Sequence, residues 1–118
     1  MRYDDLLSVP YLEKGRTKKG MDCYGLVLEC MSRSGRKLKD FENLAYVPSE
    51  QLNEYVVNLG AKELDEPKNG CLVQCVWEGR LHIGYVLDKA TCLHMTNKGA
   101  RVSPLIALRD KKYFEVGE

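Results

Sequence analysis

The chain has 118 residues, a length suited to one compact domain spanning residues 1–118, and with 44% hydrophobic and 30% charged residues its composition excludes a disordered chain. Lys and Arg total 18 against 17 Asp and Glu, so a net charge of +1 supplies no field to gather nucleic acid or anionic lipid. No apolar run approaches the roughly 20 residues needed to span a bilayer, and the opening Met1-Arg2-Tyr3-Asp4-Asp5 lacks the pattern of a secretion signal; the expectation is synthesis in the cytoplasm, with neither nucleic acid nor membrane as partner.

In chain order, Asp4 to Val9 predicts a short helix stopped by Pro10, and Lys14 to Gly20 reads as a basic, Gly-containing loop. From Cys23, apolar residues at Leu26, Val27, Cys30 and Met31 have the i, i+3, i+4 spacing of a helix face, with Gly35 as its stop. Pro48-Ser49 marks a second helix, with Leu52, Tyr55, Val56 and Leu59 inward and Gly60 ending it. After Pro67-Lys68-Asn69-Gly70 the chain turns to β-rich runs at Cys71–Glu78, Leu81–Asp88, Thr91–Thr96 and Ala100–Ser103, separated by turns at Glu78-Gly79-Arg80, Asp88-Lys89-Ala90 and Asn97-Lys98-Gly99, with Tyr113–Val116 as a last strand. Helices first and strands later give an α+β domain, N-terminal helices packed on an antiparallel sheet.

Five cysteines (Cys23, Cys30, Cys71, Cys75, Cys92) are an odd number, which fits reduced thiols. Cys23 stands out because a thiol at a helix N-terminus feels the positive end of the dipole, which favours the thiolate, and the same amides can receive an oxyanion. The chain has two histidines, His82 and His94, and a Cys/His pair is a common way to activate a thiol. Strand alternation puts His82, Gly84 and Val86 on one face, and Cys92, His94 and Thr96 on one, with Gly84 leaving room beside the first histidine. A three-residue loop at Asp88-Lys89-Ala90 would pair Leu87 with Thr91 and Gly84 with His94, placing both histidines on one face; a two-residue turn would separate them. With no C-x-x-C pair, no metal site or other cofactor is expected, and Cys30, Cys71, Cys75 and Trp77 read as core residues.

Asp22-Cys23-Tyr24-Gly25-Leu26-Val27 resembles the nucleophile segment of the NlpC/P60 cysteine peptidases, and Leu81-His82-Ile83-Gly84-Tyr85-Val86 resembles their histidine strand. Leu93-His94, followed by Gly99 and Val102, resembles the strand bearing the third polar residue, and Pro10-Tyr11, Gly15-Arg16 and Gly20 are similar to the loop before the cysteine, especially in versions from phage tails. The chain departs from the family's pattern at Lys14, where a glycine is frequent, and at Asn69-Gly70-Cys71, where Pro-Gly-Asp is frequent. The resemblance implies a papain-like fold and hydrolysis of an amide in the stem peptide of bacterial cell wall, with Cys23 as nucleophile, His82 as base, His94 orienting it and Tyr11 binding the oxyanion. Arg16 and Lys18, from a basic loop, together with Asp22 and Tyr24, are then expected to bind substrate. The partners implied are a peptidoglycan stem peptide and phage tail proteins, and the place of action a virion tail. Two other readings stay open: a tail-assembly protein that keeps the fold, and a thiol acyltransferase or deamidase acting on another amide.

Overall fold

A computed structural model describes residues 1–38 and 61–116; the helix expected after Ser49 lies outside the described residues. A 3-10 turn, Asp4–Ser8, leads into a small antiparallel hairpin, β1 (Arg16–Thr17) and β2 (Gly20–Met21), and then into the helix α1 (Cys23–Arg33). Six strands follow, β3 (Ala61–Leu64), β4 (Leu72–Trp77), β5 (Arg80–Val86), β6 (Thr91–Thr96), β7 (Gly99–Pro104) and β8 (Arg109–Val116), in the sheet order β3-β8-β4-β5-β6-β7 with all neighbours antiparallel. The α+β reading therefore holds: among the described residues one α-helix, with short 3-10 turns, packs on an antiparallel sheet.

Local chemistry explains the boundaries. Asp22 caps α1 by accepting the Gly25 amide at 2.7 Å on Oδ1, and the helix ends at Ser34, beyond which Gly35 takes φ +77°, a conformation open to glycine at little cost. The β4–β5 turn is tighter than expected. Trp77 pairs with Arg80, and the two turn residues Glu78 and Gly79 both have positive φ, as a type I′ hairpin requires, so Arg80 belongs to the strand. The β5–β6 connection uses the odd loop, with Gly84 opposite His94 and the Leu87 amide donating to the Thr91 carbonyl.

β3 has no counterpart in the sequence reading. Ala-Lys-Glu-Leu carries little strand propensity, and it is held by pairing with β8, some fifty residues away.

Two apolar clusters fill the two sides of the sheet. On one side α1 lays Leu26, Val27, Cys30 and Met31 against Leu72, Tyr85, Leu93 and Met95. On the other, Cys71, Val73, Cys75, Val86 and Cys92 are covered by Leu105 and Leu108. Register puts His82 opposite Cys75 and Gly84 opposite both Val73 and His94, so the histidines share the side away from the helix. No helix among the described residues is long and apolar enough to cross a membrane.

Candidate active site

The β5–β6 ladder ends at Gly84↔His94 although both strands continue beyond it, β5 back to Arg80 and β6 on to Thr96. At this open end the start of α1 reaches the sheet, and the Ile83 amide turns to the Cys23 sulfur. Cys23 and His82 thereby line one cavity of about 430 Å³, together with Tyr11, Asp22, Trp77, Glu78, Arg80, Met95 and Thr96.

The loop carrying Tyr11 is locked to the helix start by close approach. Met21 receives a bridge from Tyr11, and a Cβ on Gly25 would collide with the Gly15 carbonyl oxygen. Lys14 holds a left-handed φ of +61° and donates its amide to Asp22 Oδ2 at 3.2 Å. The position where the family often has glycine thus needs glycine-like backbone, and a lysine adopts it here against the steric preference of L-residues.

His82 Nε2 lies 2.8 Å from His94 Nδ1, and His94 Nε2 lies 2.7 Å from Ser103 Oγ, all three side chains being buried. The Nδ1 atom of His82 makes no hydrogen bond among the described residues. Trp77 covers the pair, stacked on His82 with centroids 5.7 Å apart and edge-on to His94 at 5.0 Å. Trp77, expected as a core residue, also forms a wall of the cavity and screens the histidines from water. Gly84 serves the second histidine instead of the first, because a Cβ there would lie 3.1 Å from the Cβ of His94 and 3.3 Å from a methyl of Val73.

Electrostatics run against the thiolate expected at Cys23. The amides of Ile83, Tyr24 and Cys23 itself favour a Cys23 thiolate, yet burial outweighs them and pushes the thiol up to about 12, assisted by the Asp22 charge. Burial also raises Cys30, Cys75 and Cys92 to about 12, so what distinguishes Cys23 is its place in the cavity wall. Burial and then the charge of His94 pull His82 down to about 3; burial and then Arg101 pull His94 down to about 4. At neutral pH the resting site holds a neutral thiol and two neutral imidazoles.

The residues expected to bind substrate are mostly committed elsewhere. Arg16 pairs with Asp22 at 2.8 Å and sits over the Tyr24 ring, Lys18 pairs with Asp5 at 2.7 Å, and Tyr24 is fully buried. Asp22 borders the cavity, but its carboxylate is taken by the Gly25 and Lys14 amides and by Arg16. Arg80 and Glu78, expected only as turn residues, are the exposed charged side chains of the cavity wall and make no ion pair among the described residues. Ser103 was likewise missed, since a serine on a short edge strand gives no signal until register places it diagonal to His94.

Residues 8–116 match the NlpC/P60 family. The chain belongs to the NlpC/P60 family. NlpC/P60 proteins are generally cysteine peptidases or amidases that act on peptidoglycan peptides. No match was found among curated proteins. Among the described residues no group of three or more His, Cys, Asp or Glu side chains is placed to hold a metal ion.

Proposed function

We propose that this NlpC/P60 chain is a thiol endopeptidase that hydrolyses an amide bond of the peptidoglycan stem peptide, as a phage or prophage tail-associated protein. The observation that carries the catalytic part is the 2.8 Å contact between His82 Nε2 and His94 Nδ1, which occupies Nε2 and leaves Nδ1 as the uncommitted nitrogen of a ring sharing its cavity with Cys23. The tail association rests on the likeness of the Pro10–Gly20 loop to phage-tail versions of the family.

In this reading the Cys23 proton passes to His82 Nδ1 as sulfur attacks the carbonyl carbon. Because thiol and imidazole are neutral at rest, the ion pair forms when substrate arrives and not before. The oxyanion is held by the Tyr11 hydroxyl and the Cys23 amide, both of which belong to the cavity wall or its helix start. His82 then returns its proton to the departing amine, leaving a thioester. Water adds to the thioester, giving its proton to His82, and collapse releases the acid and restores the thiol. His94 holds His82 in place throughout, and Arg80 takes over the carboxylate-binding role first assigned to Arg16 and Lys18.

The test is incubation of the purified protein, beside Cys23→Ala, with defined stem-peptide fragments, read by mass spectrometry. The wild type should yield two fragments whose masses sum to substrate plus water, and the alanine variant none. Cleavage that persists without the thiol would remove Cys23 from the mechanism; an intact substrate with both proteins would favour the tail-assembly role.

A further inference from the structure

We infer that Ser103 is a positioning residue that sets the protonation pattern of both histidines, so that His82 presents a bare nitrogen to the cavity. The inference rests on the reading of His82 as the base. It follows from counting protons along the contacts His82 Nε2···His94 Nδ1, 2.8 Å, and His94 Nε2···Ser103 Oγ, 2.7 Å.

Each neutral imidazole carries one N–H. Both contacts are satisfied by either of two arrangements. In the first, His82 Nε2–H donates to His94 Nδ1 and His94 Nε2–H donates to Ser103 Oγ, so His82 Nδ1 is unprotonated and able to take a thiol proton. In the second, Ser103 donates to His94 Nε2, His94 Nδ1–H donates to His82 Nε2, and His82 Nδ1 already carries a proton. The second arrangement is inert as a base.

The two rings therefore switch together, and the hydroxyl at the far end is the group that can accept from His94. His94 is 1% exposed and Ser103 4%, so water does not replace that acceptor. Without the hydroxyl, the first arrangement would strand a buried N–H on His94, whereas the second strands only a lone pair. Buried orphan N–H groups are the rarer and costlier of the two, so removal of the hydroxyl drives the pair into the inert arrangement. Ser103 is well placed for this task. On β7 it stands opposite Cys92, diagonal to His94 on the same side of the sheet, and its backbone amide is fixed by a contact to the Cys92 sulfur.

Long-range ¹⁵N NMR of the histidine rings at pH 7 reads the arrangement directly and needs no turnover. In the wild type both rings should carry the proton on Nε2, and a protonated Nδ1 at His82 overturns the inference whatever any variant does. In Ser103→Ala both protons should move to Nδ1, kcat on a stem-peptide fragment should fall about 10- to 100-fold, and KM should stay within about twofold. Ser103→Thr, which keeps the hydroxyl, should restore both the tautomers and the rate. Unchanged tautomers in a folded Ser103→Ala protein, or a threonine variant that behaves as the alanine one, would refute the role. Should the wild type prove unable to cleave stem peptides, the peptidase reading fails while the NMR result still decides the wiring.

Discussion

Acidification from pH 7 to pH 4.5 is the perturbation whose effect can be worked out most fully. His82 and His94 titrate at about 3 and about 4 in the fold because both are buried, against an ordinary value of 6.5. As pH falls below 6.5 the unfolded chain takes up protons that the folded chain refuses, so stability is lost through that window and the loss levels off only once the folded pKa values are passed. At pH 4.5, two units below the unfolded value, each histidine contributes a loss of about 2–3 kcal/mol, and the pair about 5 kcal/mol. That approaches the whole stability of many small domains, about 5–15 kcal/mol. Denaturant unfolding at the two pH values, compared between wild type and the His82→Gln/His94→Gln double variant, isolates the term, since exposed carboxylates such as Asp5 and Asp88 are common to both proteins. The wild type should lose several kcal/mol more than the double variant. Equal losses, or ring protons of the folded wild type titrating near pH 6.5, would refute the picture of two buried neutral rings.

Other outcomes follow from the same contacts. At alkaline pH the sign reverses: thiols raised by burial ionise first in the unfolded chain, so stability should fall as pH rises above about 9, and replacing Cys30 by Ala should reduce that slope in denaturant melts at pH 8 and 10. Lys14→Gly removes a left-handed lysine and should raise stability by about 1 kcal/mol, measured by urea unfolding. Asp22→Ala deletes a buried cap and the partner of Arg16 together and should cost about 2–4 kcal/mol in the same assay, with Asp22→Asn intermediate because its amide oxygen can still cap. Arg80→Ala should raise KM about tenfold for stem fragments with free carboxylates and leave carboxamide analogues nearly unchanged, as steady-state kinetics would show.

The parts of the site that were legible in the sequence depend on local chain geometry. The start of α1 at Cys23 and the facing of His82 toward His94 both follow from short-range periodicity and a three-residue loop, and the register Gly84↔His94 matches. What escaped depends on approach through space. β3 forms because β8 is beside it, Ser103 matters because β7 pairs in one register, and Trp77 leaves a purely core role because the β4–β5 turn brings its ring over the histidines. The charge on Cys23 was misjudged for a related reason: helix-end amides can be foreseen from sequence, while the burial that overrides them arises from how the loop of Tyr11 and the end of β5 close around the thiol.

The order of strands in the sheet also bears on how the protein comes together in time. His82, His94 and Ser103 all lie on the continuous meander Arg80–Pro104, whose pairings join residues close in the chain, whereas Cys23 arrives from a helix far upstream and β3 closes the opposite edge. Contacts of short sequence separation need the least loop closure and form early. The pairings that bring these three side chains together are therefore local ones, whereas joining the nucleophile to them requires the long-range docking of α1.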